Sequence, residues 1–488
     1  MTLTLHNTLT KQDDTFTPLV DNKVSLYTCG PTVYDYLHVG NWSAYVYWDI
    51  LVRTLISQGY TVERVMNITD VGHLVSDGDE GEDKLEKGAR REGKTAWEIA
   101  EFYAEDFVTG MEKLGLIPPE HLVKATDFIT QQLELVRILK EKGYTYQTTD
   151  GIYFDTSKFP AYANFAGLDL HAQRAGARVE FNAEKRNTSD FALWKFTPAD
   201  QTRDMEWETP HDLIDLPGEQ VIMGFPGWHL ECSAIAMSIL GPTIDIHTGG
   251  IDHIPVHHTN EIAQSESASD QQFAKFWLHN NHLKIDGGKV SKSLGNGYTL
   301  SDLEERGYSP MDLRMFILQG QYSNEGNFTF DNLEAAKNRL KNWRDHAVLR
   351  HQTHDRLGAD SKKTDSETGS VSLLASSGAI KEALADNLNT PEALRIIDEA
   401  FGMLDAHSLD EIHQHGLVEF IRTIDELLGL QLESSTPDIA DDAKMAIIKR
   451  ERARESKDWA QSDELRDELL KKGIAVRDTP SGSIWTYA

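Results

Sequence analysis

Along the chain the apolar positions fall first into a short unbroken run, "VSLYTCG", then into helical spacing from Asn41 to about Ser57, then into a second run, "YTVERVMNITDVG". The first run, β-branched and aromatic, reads as a buried strand, the second as the next strand, and the periodic stretch between them as an amphipathic helix. Strand, turn, helix, strand predicts the opening of a parallel α/β sheet. Helical spacing then dominates from Lys84 to about Leu139. "GYTYQTTDGIYFD" predicts a hairpin turning at Thr-Asp-Gly, and turns and aromatics continue to Pro226. The buried-strand pattern resumes in "TIDIHTGGID", with a helix from about Asn260, so a second domain is expected inside the first.

Beyond Arg350 the pattern changes. "HQTHDRLGADSKKTDSETGSVS" has no aromatics and reads as a polar linker. Helical spacing returns from Ala379 to Leu430, with an Asn-Thr-Pro helix opening in "DNLNTPEAL". After a second polar break, "LESSTPD", come a helix containing "KMAIIKRERARESK" and a short hairpin in "GIAVRDTPSGSIW". No internal repeat is present.

Composition narrows the class. A chain of 488 residues, 40% hydrophobic and with ten tryptophans, can fill several cores. Two cysteines make no disulfide framework, the start "MTLTLHNTLTKQDDTF" has neither a basic opening nor an apolar core, and no apolar run nears the roughly 20 residues a membrane span needs. A cytoplasmic protein with no membrane partner is expected. The formal charge of −30 argues against nonspecific nucleic-acid binding over the whole surface, though not against a local basic face.

Candidate chemistry sits in two stretches. In "HVGN", His38 and Gly40 open a helix that follows a strand, where free backbone N–H groups and the helix dipole attract phosphate. In "GGKVSKSLGN", Lys289 and Lys292 lie in a Gly- and Ser-rich loop suited to a triphosphate. Each alone has a plain reading, as a turn and as solvated surface.

Together, "HVGN" resembles the HIGH signature and "KVSKS" the KMSKS signature of class I aminoacyl-tRNA synthetases. "CGPTVYDYLHVGN", "RNTSDFALWK", "GWHLECSAIAMSILG", "DIHTGGIDHIPVHHTNEIAQSE" and the tail "DWAQSDELRDELLKKGIAVRDTPSGSIW" resemble, more narrowly, the cysteinyl-tRNA synthetases, from about Ser25 to Trp485. The resemblance implies an α/β fold. Its parts are a Rossmann-like parallel-sheet catalytic domain (20–115 and 221–280), an inserted connective domain (116–220), a KMSKS-loop and stem-contact region (281–345), a polar linker (346–376), a helical bundle (377–432) and a small mixed α/β anticodon-binding domain (433–488). It implies ATP-dependent activation of L-cysteine, transfer to tRNA(Cys), and a monomer.

Carried over residue by residue, the family's zinc ligands fall on Cys29, Cys232, His257 and Glu261, one Zn2+ per chain. Thiolate, imidazole and carboxylate are all zinc donors, and His257 and Glu261, four apart, would share a helix face; neighbouring His258 is an alternative to His257. The same resemblance gives His38, Lys289 and Lys292 catalytic roles on the triphosphate. It assigns His38, Gly40, Asn41, Gly249, Asp252, Lys289 and Lys292 to ATP, bound with Mg2+, and Thr69, Trp228, His229 and His247 to the cysteine pocket. Apolar pockets separate cysteine from serine weakly, so a thiophilic metal would read the sulfur directly.

Departures from the family pattern are Asn41 ending the first signature, Val290 in the second, Thr248 for a common glycine, the altered run "DHIPVHHTNE" and the acidic "DGDEGED", which reads as a solvated loop, with a second metal site as the alternative. In the tail, residues 444–457 carry six Lys or Arg against two Glu, and Trp485 is a candidate to stack on an unpaired base. Two rivals stand beside this reading. One is a cysteine ligase acting on an amino sugar in mycothiol synthesis, which would need no tRNA-binding tail; the other is a non-catalytic paralogue that binds nucleotide or tRNA.

Overall fold

The computed structural model describes residues 2–72, 84–168, 184–215, 221–290, 295–353, 370–407, 409, 412–479 and 482–488. They form two compact units, Thr4–Asp302 with Tyr322–Asn327, and Leu303–Gln321 with Phe328–Ala488 and Met1–Leu3. No helix among the described residues is long and apolar enough to cross a membrane.

After a two-stranded hairpin (Thr4–Asn7 and Gln12–Thr15), the first unit continues with β1 (Lys23–Thr28), α1 (Val39–Ser57), β2 (Thr61–Ile68), α2 (Lys84–Glu92), α3 (Ala96–Lys113), β3 (His121–Lys124) and α4 (Ile129–Glu141). An insertion follows, with β4 (Thr145–Thr148), β5 (Gly151–Phe154), β6 (Phe191–Phe196), β7 (Trp207–Glu208) and β8 (Met223–Pro226). The chain then returns through α5 (Trp228–Leu240), β9 (Ile244–Gly250), α6 (Thr259–Ser269) and β10 (Ala274–Asn280).

One five-stranded sheet has the order β10-β9-β1-β2-β3, and every neighbouring pair is parallel. Val24, Leu26 and Tyr27 of β1 are fully buried, as expected of a central strand covered by helices on both faces. Growth of the sheet reverses between β1 and β9. In open parallel sheets ligands bind in the crevice outside the carboxyl ends of the strands at such a switch point. The register brings Thr28 beside Thr248, so the residues that follow β1 and those that end β9 share one edge of the crevice.

The second sheet, order β4-β5-β6-β8-β7, is antiparallel throughout and is the inserted domain. Its boundaries correct the expectation of 116–220. Strand β3 pairs with β2 in the parallel sheet, and β8 pairs with β6 in the insertion, so the antiparallel sheet spans 145–226. The run "HLVK" is too short for its period to stand out from the helices on either side, which is why helical spacing masked it.

The second unit contains α7 (Pro310–Leu318), α8 (Phe330–Ala347), α9 (Ser370–Ala385), α10 (Thr390–Leu404), α11 (Gln414–Leu428), α12 (Asp441–Glu455), α13 (Trp459–Lys471), β11 (Ile474–Thr479) and β12 (Gly482–Tyr487). Helices α10 and α11 bury Leu394, Ile397, Phe401, Phe420 and Ile424, with Phe401 edge-on to Phe420 at 5.4 Å. Asn389 caps α10 by accepting from the Glu392 N–H, as the Asn-Thr-Pro opening predicts. Strands β11 and β12 form the expected antiparallel hairpin. Val348, Ala443, Ile447, Leu469, Ile474 and Trp485 make one apolar core beneath it. Trp485 is 4% exposed and its backbone exchanges hydrogen bonds with the Gln352 side chain, so it packs this core and is not available to a nucleic-acid base.

Candidate active site and metal centre

His38 is the N-cap of α1, which begins at Val39, two residues before the position expected from the spacing. Its Nδ1 accepts from the backbone N–H groups of Gly40 (3.1 Å) and Asn41 (3.2 Å), and the Asn41 side-chain Oδ1 accepts from the His38 N–H (3.1 Å). This capping box fixes the imidazole. Because Nδ1 is the acceptor, a neutral His38 carries its proton on Nε2, a donor pointing away from the helix. Asn41 thus does for the cap what its place in the signature could not reveal. The segment after the lysine loop runs alongside: Val39 N–H donates to Tyr298 C=O (2.8 Å), and His38 bridges Thr299. Lys289 is exposed, while Lys292 lies outside the described residues, as does the acidic run 77–83.

The two cysteines meet at the switch point. Cys29 follows β1, its N–H donating to Thr248 C=O (3.1 Å), and Cys232 sits one turn into α5. A π-helical turn, Ile254–His258, leads into α6 and delivers His257 and Glu261. Such turns recur at functional sites because the extra residue re-aims side chains. One donor atom from each of Cys29, Cys232, His257 and Glu261 lies within 4.8 Å of the others. A second set, Cys29, His247, His258 and Glu261, meets the same limit.

Glu261 is fully buried. Its Oε2 lies 2.8 Å from His247 Nε2 and its Oε1 3.5 Å from His257 Nε2, yet neither oxygen receives a well-directed hydrogen bond. A buried carboxylate without donors calls for a cation. His257 Nδ1 is 2.9 Å from His229 Nδ1, which leaves Nε2 facing the cluster, the arrangement that orients a metal-ligating histidine. Sulfur, nitrogen and oxygen donors in this number fit a tetrahedral zinc site.

Electrostatics agree. Burial alone would raise the Cys29 thiol, but the Cys232 hydrogen bond, the His258 charge and bonds from His253 and His257 hold it well below the usual range. Cys232 is pushed up, first by its bond to Cys29 and then by burial, so the two thiols are pulled in opposite directions. His253 is raised to about 9: burial opposes, and its bond to Cys29 with the charges of Cys29, Asp252 and Glu261 prevails. Burial drives His258 and His279 well down.

Of the residues assigned to the cysteine pocket, His229 and His247 are buried within the cluster, where His229 contacts His257 and His247 contacts Glu261. Trp228, half-buried at the start of α5, stacks on His229 and lies 5.5 Å from the His257 ring. The Thr69 hydroxyl accepts from Asn67 Nδ2 (2.9 Å) and donates to the buried Glu231 (2.9 Å). Gly249, the second-last residue of β9, sits where a Cβ would come within 2.6 Å of His258, and Asp252 is exposed just beyond the strand. Sequence reasoning missed His253, His279, Glu231 and Asn67, which have no spacing signal of their own.

Residues 15–338 match the class I (C) tRNA synthetase catalytic domain, and residues 436–485 the cysteinyl-tRNA ligase anticodon-binding domain. The chain belongs to the cysteinyl-tRNA synthetase family. Among curated relatives, "Cysteine--tRNA ligase 1" of Burkholderia lata is 40% identical over 487 residues, covering 99% of this chain and 96% of that protein. The Treponema denticola "Cysteine--tRNA ligase" is 37% identical over 511 residues, covering 99% of both. The fold is shared with methionyl-tRNA synthetase of Mycobacterium tuberculosis, solved with methionyl-adenylate, at a TM-score of 0.60, 14% identity and coverage of 84% and 92%. As a cysteinyl-tRNA synthetase family member the chain is a class I ligase.

Proposed function

We propose that the protein activates L-cysteine with ATP, releasing pyrophosphate, and transfers the cysteinyl group to the 3' end of tRNA(Cys). The observation that carries this reading is the convergence of both cysteines of the chain with His257 and Glu261 at the sheet's switch point. Zinc held by these four residues supplies a thiophilic Lewis acid for a thiolate sulfur, which serine cannot offer. Trp228 would flank the amino acid, and Thr69, held by Asn67 and Glu231, would close the pocket.

ATP would lie along the N-terminus of α1. The Nε2–H of His38, fixed by the cap, donates to the phosphates as negative charge builds on the leaving pyrophosphate. Lys289 and Lys292 would add positive charge from the adjoining loop, and the positive end of the α1 dipole would add to it. Gly40 admits the nucleotide, and Gly249 and Asp252 edge the same crevice. The tail would hold tRNA, in keeping with the anticodon-binding match over 436–485.

Amino-acid-dependent ATP–pyrophosphate exchange, run across all twenty amino acids, tests the reading. Cysteine alone is expected to give signal; exchange with serine at a comparable rate would overturn the specificity.

A further inference from the structure

Cys232 stands between two neighbours that are tied to different elements. On one side, Glu231 Oε2 accepts from the hydroxyl of Thr69 (2.9 Å), the residue that follows β2. On the other, Ser233 Oγ accepts from Gln264 Nε2 (2.7 Å) and lies 2.8 Å from Ser265 Oγ, both residues of α6. Gln264 Nε2 also donates to the His229 C=O, one turn earlier on α5. Thr69, Glu231, Ser233, Gln264 and Ser265 are each no more than 2% exposed. Polar groups buried so deeply are costly to leave unpaired.

Backbone groups set the direction of both ties, with no charge involved. Gly30, the residue after Cys29, donates its N–H to Asn67 Oδ1 (2.9 Å), so the amide presents Nδ2 to Thr69 Oγ1 (2.9 Å). Thr69 accepts there, and its one proton goes to Glu231. The His229 carbonyl only accepts, which fixes Nε2 of Gln264 on the α5 side. Gly30, Asn67, Thr69 and Glu231 therefore join the residue after Cys29 to the residue before Cys232, and Ser233 joins the residue after Cys232 to the helix that carries Glu261. Successive helical residues point about 100° apart, so the two ties leave α5 on either side of the direction Cys232 faces. Rotation of α5 about its axis strains one or the other. We propose that Glu231 and Ser233 lock that rotation and, with Asn67 and Thr69, set how the sulfurs of Cys29 and Cys232 face each other. Glu231 and Ser233 are positioning residues, acting through Cys232.

The inference rests on the zinc reading, and the test separates the two. Zinc affinity of the full-length protein is measured by competition with a chromogenic chelator, and cysteine and ATP affinities by equilibrium binding at saturating zinc. Glu231→Gln keeps an oxygen to accept from Thr69 and should keep the zinc affinity of the unsubstituted protein. Glu231→Leu has no acceptor, and zinc affinity should fall about 10–100-fold, the usual loss when a group that orients a metal ligand is removed. Cysteine affinity should fall with it, while ATP affinity changes less than about twofold. Unchanged zinc affinity in Glu231→Leu, or an equal loss in Glu231→Gln, would overturn the proposal. Should Glu231→Leu fail to fold, Ser233→Ala, which cuts the other tie, decides by the same measurement: a comparable loss of zinc affinity supports the lock, and no loss overturns it. Failure of the unsubstituted protein to bind stoichiometric zinc would overturn the metal reading itself.

Discussion

At Gly30 an added Cβ would sit 1.5 Å from the carbonyl oxygen of Asn67, and the Gly30 N–H donates to Asn67 Oδ1 (2.9 Å). No rotamer relieves a clash with backbone. Gly30→Ala should therefore displace the turn that carries Cys29, costing about 2–4 kcal/mol in urea unfolding and lowering zinc content. Wild-type zinc and stability in that variant would show that the turn tolerates displacement. Cys232→Ser acts differently: its volume is kept, so folding should survive, while affinity for cysteine falls by at least about tenfold and affinity for ATP by less than about twofold. Equal losses for both ligands, read by equilibrium binding, would make the metal merely structural. At this scale the sequence was legible where residue types are rare. Two cysteines in 488 residues, each in a distinctive run, pointed to the cluster. Thr69 and Glu231 are 162 positions apart, and nothing local in either marks the bond between them.

Helix termini and hairpins carry the next level of the argument. Asparagine is as good an N-cap as any residue, so His38→Asn should leave stability within about 0.5 kcal/mol while removing the Nε2 donor. Cysteine-dependent exchange should then fall roughly 10²–10³-fold; retention of the rate would remove His38 from the chemistry. The C-terminal hairpin is pinned to α12 by Arg450, whose Nη1 and Nη2 meet Asp478 Oδ1 and Oδ2 at 2.6 and 2.8 Å, with Arg454 at 3.1 Å. These Arg450 bonds, against a burial that opposes them, and with Ser483 and the Arg454 charge assisting, hold Asp478 down to about 2. A carboxylate depressed in the folded state stabilises above its unfolded pKa of about 3.9 and loses that contribution as pH falls toward 2. Because the carboxylate is a third exposed, the contribution is discounted to about 1 kcal/mol. Wild type should exceed Asp478→Asn by that amount in urea unfolding at pH 5 and by less at pH 3; a gap constant with pH would refute the linkage. Elements of this kind were legible from period and caps, whereas β3 was hidden by its length and the π-helical turn had no sequence mark.

A molecule of net charge −30 that is to hold tRNA must concentrate its cations. Segment 444–457 does so only in part, because Lys444 is paired with Asp438, and Arg450 and Arg454 with Asp478. Lys449, Arg452 and Lys457 are exposed. Trp459, 55% exposed with Arg454 over its ring at 5.5 Å, is the aromatic on this surface, in place of the buried Trp485. The tail's basic composition was legible, but which cations are spent on carboxylates, and which tryptophan fills the core, depend on how α12, α13 and the hairpin pack. Arg450 and Ser483 alone are 33 positions apart. If this surface meets the tRNA, Lys449→Glu with Arg452→Glu should leave cysteine-dependent ATP–pyrophosphate exchange unchanged, since activation needs no tRNA. Aminoacylation of tRNA(Cys) should fall at least about tenfold through KM, and the slope of log affinity against log salt should drop by roughly one to two, the number of phosphate contacts removed. Trp459→Ala should cost about 1–3 kcal/mol of tRNA affinity with little change in that slope, because stacking is not ionic. Charging by the double charge-reversal variant at the wild-type rate and salt dependence would place the anticodon contact on another face of the second unit, with the active-site reading untouched.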